Sequence, residues 1–213
     1  MLKTFIVNPI QENCYILSDD TTSEAVIIDC GALLPAEGRE ISAYIDDNGL
    51  HPVAHLLTHA HFDHLFGAQL VADRYGLLPR FAAADRPIYD NAAMQASALF
   101  GQQMQFPVPK PGPYVDAATT MACGRHTISV ISTPGHTPGG VCYYCADLGI
   151  LFSGDTLFRM SIGRTDLPGG DYGTLCRSLH TLADTLPDAT RVLPGHGPVT
   201  TIADERRANP YLQ

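Results

Sequence analysis

Thr58-His59-Ala60-His61-Phe62-Asp63-His64 sets four groups that can ligate a metal within six residues, directly after the strand-like run Val53–Leu57. If the chain stays extended beyond that run, positions 59, 61 and 63 share one side, and His64 turns with the chain into the next segment. That segment has helical spacing: Leu65, Ala68, Ala72 and Tyr75, stopped near Gly76. Leaving four such groups buried with their lone pairs unused is costly, so the cluster reads as a metal site. Strand, ligand-bearing loop and helix form the repeating unit of a layered α/β protein, whose sites lie at strand ends.

Two further loops each carry a histidine after a strand-like run. They are Pro134-Gly135-His136-Thr137-Pro138-Gly139 after Thr127–Ser132, and Pro194-Gly195-His196-Gly197-Pro198 after Arg191–Leu193. A histidine between Gly and Pro is by itself an ordinary loop residue; two such loops beside the first cluster point to one centre. Asp155, in Ser153-Gly154-Asp155-Thr156, stands just past the strand-like Ile150–Phe152. His51, His55, His126 and His180 lack such a context and read as surface or core residues. Imidazole and carboxylate donors suit zinc, iron or manganese and do not choose among them.

The rest of the chain alternates in the same way. Leu2–Val7, Cys14–Leu17, Ala25–Ile28 and Val141–Tyr144 read as strands. Helices are expected over Pro35 to about Asn48, Asp85 to Met104, Tyr172–Leu186 and Ile202–Ala208. The proline-rich stretch Phe106 to Pro113 reads as a loop, and the whole as one α/β domain, residues 1–213. With 45% apolar and 16% charged residues the chain is not disordered, and its net charge of −9 argues against nucleic-acid binding. No apolar run reaches the ~18–20 residues that span a bilayer, and the start lacks a signal-peptide pattern, so a soluble, cytoplasmic protein is expected. The six cysteines are then expected as reduced thiols. Cys142 and Cys145 form a C-x-x-C within a strand-like run, where they point to opposite faces and read as small buried residues.

Taken in order, T-H-x-H-x-D-H, P-G-H-T-P-G, S-G-D-T-L-F and P-G-H-G-P resemble the metallo-β-lactamase superfamily. The resemblance implies an αββα sandwich with two metals at one edge of its sheets, zinc first among candidates and iron or manganese next. His59, His61 and His136 would hold the first ion, Asp63, His64 and His196 the second, and Asp155 would bridge them. Asp29, in Ile27-Ile28-Asp29-Cys30-Gly31, matches an early family aspartate and would orient a ligand rather than bind metal. Its neighbour Cys30 stands where Pro or Thr is commoner. Metal-assisted hydrolysis by a bridging hydroxide is the implied reaction, with Asp63 also holding the hydroxide's proton.

Asp155-Thr156-Leu157-Phe158, the run Gly163-Arg164-Thr165-Asp166 and the ending Glu205-Arg206 with Asn209-Pro210-Tyr211-Leu212 are similar to glyoxalase II and its short relatives. That resemblance implies hydrolysis of S-D-lactoylglutathione or a related small acyl thioester. The chain stops 17 residues after His196, without the helical domain with which full-length glyoxalase II grips glutathione. Arg164 stands where glyoxalase II has a glutathione-contacting Lys, and would grip a substrate carboxylate; the alternative is a structural pair with Asp166. Iron-dependent persulfide dioxygenases share Gly163–Asp166 and are the runner-up, with one iron on His59, His136 and Asp155. Lactamases that place Cys where this chain has Asp155, and ribonuclease Z-like enzymes with a substrate arm, fit less well. A small-molecule substrate, with no nucleic-acid or membrane partner, is expected.

Overall fold

Ala25-Val26-Ile27-Ile28 is apolar at every position, the mark of a strand covered on both faces. In the computed structural model, which describes residues 1–213, it lies in β3 (Glu24–Ile28), where alternate residues face two different cores. β3 sits in a sheet ordered β1 (Leu2–Val7), β2 (Glu12–Ser18), β3, β4 (His51–Leu56), β5 (Pro79–Arg80). The first three strands are antiparallel and the last three parallel. The second sheet runs β13 (Thr200–Thr201), β12 (Arg191–Pro194), β9 (Ile150–Gly154), β8 (Val141–Cys145), β7 (His126–Ser132), β6 (Thr120–Cys123).

The two sheets pack face to face. Tyr15, Leu17, Val26, Ile28 and Leu56 meet Ile128, Val130, Tyr143, Phe152 and Leu193 in an apolar core between them. On the outer face of the first sheet, Ile16 and Ile27 pack on Ile41 and Ile45 of α1 (Pro35–Asp47) and Val71 of α2 (Ala68–Tyr75). On the outer face of the second, Cys142, Leu151 and Val192 pack on Leu175, Leu179 and Leu182 of α5 (Tyr172–Thr185) and Ile202 of α6 (Ile202–Ala208). The protein is thus an αββα sandwich. Each buried aliphatic side chain contributes about 1.5–3 kcal/mol. Cys142 and Cys145 face opposite cores, and all six cysteines are free thiols. No helix is long and apolar enough to cross a membrane.

Three expectations are corrected. The helix over Asp85 to Met104 is broken: a 3₁₀ turn at Ala83–Asp85 leads into α3 (Arg86–Asp90), and α4 (Ala92–Phe100) comes after it. Asn91 between them leaves helical geometry (φ −108°, ψ 17°) and turns its amide back onto the Pro87 carbonyl, while Gly101 ends α4 at φ +65°. The helix after the histidine loop starts at Ala68 rather than Leu65. The extended path assumed through Asp63 also stops early, because Phe62–His64 is a 3₁₀ turn. The short strands β5, β6, β13 and the hairpin β10 (Leu157–Phe158)–β11 (Ser161–Ile162) were not expected.

Candidate metal centre

The 3₁₀ turn decides how the first loop is used. His59 and His61 leave β4 in extended chain and meet His136, from the loop between β7 and β8. The turn then swings Asp63 and His64 the other way, toward His196 from the loop after β12. Within each trio the ligating atoms lie within 4.8 Å of one another, and Asp155, at the end of β9, falls in a third group with His59 and His64. The structure therefore brings all seven side chains to one edge of the sandwich, with Asp155 between two donor clusters. His136 Nε2 is 3.6 Å from Asp155 Oδ2, and His64 Nε2 is 3.4 Å from Asp155 Oδ1. His196 Nε2 lies 3.2 Å from Asp63 Oδ2 and 3.7 Å from Asp155 Oδ2.

Hydrogen bonds on the far side of three rings, those of His59, His136 and His196, select the tautomer that points a lone pair inward. Thr58 donates its hydroxyl to Asp29 (2.7 Å), so the 3.1 Å contact between Thr58 Oγ1 and His59 is a bond donated by His59 Nδ1–H. His59 Nε2 is left bare and buried. His136 Nδ1–H donates to the Arg164 carbonyl (2.7 Å), and His196 Nδ1–H to the Ile10 carbonyl (3.2 Å). His64 Nδ1 lies 3.2 Å from the Asp29 carboxylate. Asp29 also accepts the Thr58 backbone N–H at 2.7 Å, from a left-handed backbone position with φ +52°. It thereby orients His64 directly and His59 through Thr58.

These atoms fit divalent cations. His59 Nε2, His64 Nε2 and Asp155 Oδ1 are buried without any hydrogen-bond partner, a state that costs free energy unless something accepts those lone pairs. His61 Nδ1 and His136 Nε2 face each other at 2.9 Å, which requires a shared proton or a cation between them. Burial pushes His59 well below the usual imidazole range and His61 down to about 4, so both are neutral and able to ligate. Burial also works against the ionised Asp155, but His64, His196 and His59 outweigh it and hold the carboxyl well below its usual range. His64 is raised: burial opposes its charge, and Asp155, Asp63 and Asp29 prevail.

Several supporting residues went unread in the sequence. Asp85, fully buried, accepts the Ala60 N–H (3.0 Å), the Thr137 hydroxyl (2.9 Å) and the Gly139 N–H (2.6 Å), tying the first two histidine loops together. Asn13 donates to the carbonyls of Pro194 and Gly197, and Tyr15 OH to Pro194, fixing the loop that carries His196. Asn8 donates to the carbonyls of Gly31 and Asp63. Glu12 is buried beside His64, with Oε1 3.9 Å from Nδ1 and Oε2 accepting the Gly31 N–H. Gly195 must be small, since a Cβ there would fall 2.3 Å from Asp155 Oδ1. The one trace of these supports in the sequence is a Glu-Asn pair opening an otherwise apolar strand.

The centre opens toward His196, whose side chain is 22% exposed while that of His64 is fully enclosed. Phe158, on the β10–β11 hairpin, sets its ring edge-on to His196 at 6.3 Å. Arg164 divides its roles: the carbonyl holds His136, and the exposed guanidinium makes two 2.7 Å bonds to Asp166.

The family model of the metallo-beta-lactamase superfamily matches residues 7–196. A probable metallo-hydrolase, YqgX of Bacillus subtilis, is 38% identical over 97% of this chain and 94% of its own. The hydroxyacylglutathione hydrolase GloC of Haemophilus influenzae is 31% identical over 97% of this chain and 95% of its own. Among solved structures, the BLEG-1 B3 metallo-beta-lactamase superposes with a TM-score of 0.90 at 40% identity, each chain fully covered. TTHA1623 in a di-iron-bound form superposes with a TM-score of 0.86 at 37% identity, covering 99% of this chain and 100% of the other.

Proposed function

The chain belongs to the metallo-beta-lactamase superfamily, and we propose that within it the protein is a two-metal hydrolase of small acyl thioesters, similar to glyoxalase II. The observation that carries this reading is the pair of donor clusters with inward lone pairs and Asp155 between them. His59, His61 and His136 would hold one ion, Asp63, His64 and His196 the other, and Asp155 would reach both. Zinc is the proposed metal; the di-iron form of a 37% identical neighbour makes iron its competitor. Two such cations supply hydroxide at neutral pH and polarise a carbonyl.

The chain's own residues do the rest. Thr58, the Arg164 carbonyl and the Ile10 carbonyl fix three imidazoles, and the Asp29 carboxylate lies against a fourth, before substrate arrives, so little reorganisation is left for the reaction. Asp63, between His64 and His196, is the carboxylate placed to hold the proton of the attacking water. Phe158 gives the open side an apolar rim against which an acyl chain can lie. A thioester suits a mouth of this kind, because a thiolate whose acid has a pKa near ~8.5 departs without a proton donor. Arg164 would take a substrate carboxylate by sharing or releasing Asp166. The resemblance to GloC supports the thioester class. A net charge of −9 supports a small-molecule substrate over nucleic acid, and a cytoplasmic location accords with the reduced thiols.

The test is a substrate panel on protein loaded separately with zinc, manganese and iron. It contains S-D-lactoylglutathione, other acyl thioesters, a β-lactam, and glutathione persulfide with oxygen consumption monitored. Thioester turnover that exceeds the others is expected. Turnover of the β-lactam alone, or oxygen consumed while thioesters are untouched, overturns the reading.

A further inference from the structure

At the far end of β8 from the metal centre, three donors of different chemistry converge. The β7–β8 register pairs Ile128 with Cys145, and just beyond its last pair the His126 side chain meets that of Asp147. His126 and Cys145 share a face, as alternation along antiparallel strands requires. Asp147 lies in the short 3₁₀ turn that succeeds β8. Cys145 Sγ lies 3.2 Å from Asp147 Oδ1, and His126 Nδ1 contacts Asp147 Oδ2. The three ligand atoms all lie within 4.8 Å of one another.

We propose that His126, Cys145 and Asp147 form a second, separate binding site for a single thiophilic divalent cation, zinc foremost. A thiolate, an imidazole and a carboxylate on one ion are a donor set of the zinc type, and the thiolate disfavours magnesium and calcium. With Zn–S near 2.3 Å and Zn–O near 2.0 Å, a tetrahedral ion separates sulfur and oxygen by about 3.5 Å. The observed 3.2 Å needs an opening of only a few tenths of an ångström. Cys145 is enclosed while the Asp147 side chain is 48% exposed, so water can complete the shell from the solvent side.

Hydrogen bonding alone leaves the thiol in a poor position. Burial, and the carboxylate that accepts its proton, push Cys145 up to about 12. A dication reverses that: Sγ–H gives its proton to solvent, the sulfur lone pair forms the S–Zn bond, and the thiolate–carboxylate repulsion becomes a shared attraction. The order Cys–Asp–His also excludes a nucleophilic triad, because the thiol faces a carboxylate rather than an imidazole base.

The site is independent of the catalytic reading. Val141, whose N–H bonds the Thr58 carbonyl beside the histidine loop, is four residues from Cys145, about 13 Å along an extended strand. None of the seven residues of the main centre is a cysteine, so a thiolate signature reports this site alone.

The experiment is cobalt(II) titration of the metal-free full chain, read by thiolate-to-cobalt charge-transfer absorption. Wild type should develop the band and bind one cobalt ion per chain more than Cys145→Ser, whose two ions fill the main centre. Cys145→Ser, which keeps a hydroxyl able to donate to Asp147, should lack the band, and His126→Ala should weaken cobalt binding at least tenfold. Both variants should keep the hydrolytic activity of wild type, whatever its substrate. A wild type with no thiolate band, or a band that persists in Cys145→Ser, overturns the proposal.

Discussion

Replacing Asp85 should loosen the metal centre without touching any of its ligands. In Asp85→Ala, the Ala60 and Gly139 N–H groups and the Thr137 hydroxyl lose their common acceptor inside the protein. The hydroxyl can rotate, but the two backbone donors cannot. Each buried orphan costs about 1–3 kcal/mol, so the two backbone donors together give an expected loss of roughly 2–6 kcal/mol. At about 2–4 °C per kcal/mol for a domain of this size, Tm should fall by roughly 4–24 °C. Asp85→Asn separates geometry from packing. Its amide has one accepting oxygen where the carboxylate uses both, so one backbone N–H is orphaned in either orientation, for about 1–3 kcal/mol. Because Asp85 joins the loop of His59 and His61 to that of His136, cation affinity should drop about 10–100-fold in both variants, as for other residues that orient ligands. Denaturation of the metal-free protein and competition with a chelator measure the two effects apart. Unchanged stability and unchanged affinity in Asp85→Ala would refute the strut.

Arg164→Ala removes the guanidinium but keeps the carbonyl that holds His136, so KM for a carboxylate-bearing thioester should rise several-fold with kcat nearly constant; steady-state kinetics showing the reverse split would count against it. Gly195→Ala brings a methyl against Asp155 Oδ1 and His64, so metal content should fall and the overpacked metal-free protein should melt below wild type. The Arg125 side chain and backbone N–H hold the Asp19 carboxyl below its usual range. A depressed folded pKa gives stability that is present above the unfolded value, about 3.9, and lost as pH falls below it. The stability gap between wild type and Arg125→Ala should therefore shrink below about pH 4 in denaturant titrations.

The layers and ligand loops were legible because they are written locally. Alternation in Leu2–Val7, the unbroken apolar run of β3 and the leucine spacing of α5 each come from a single segment. The Gly-Pro-framed histidines likewise announce loops at strand ends. What escaped depends on partners distant in sequence or on single dihedral choices. Asp85 binds loops 25 and 54 residues away, and Asn13 a loop more than 180 residues away. Nothing local distinguishes such residues from ordinary polar ones. The 3₁₀ turn at Phe62–His64 separates Asp63 from His59 and His61, where the alternation of an extended chain would have kept them together. Strands of two residues, such as β5 and β13, exist only because a neighbour pairs with them. The contact of His126 with Asp147, 21 residues apart, is of the same non-local kind.

The most direct test of the central claim is metal stoichiometry, measured in a Cys145→Ser background so that only the main centre is counted. His196 belongs to one donor cluster only, while His59, His61 and His136 form the other. Elemental analysis after loading with zinc, manganese or iron should give two ions per chain with His196 intact and close to one in His196→Ala, with turnover sharply reduced. A parent that never exceeds one ion per chain, with His196→Ala identical to it, would contradict a two-metal centre.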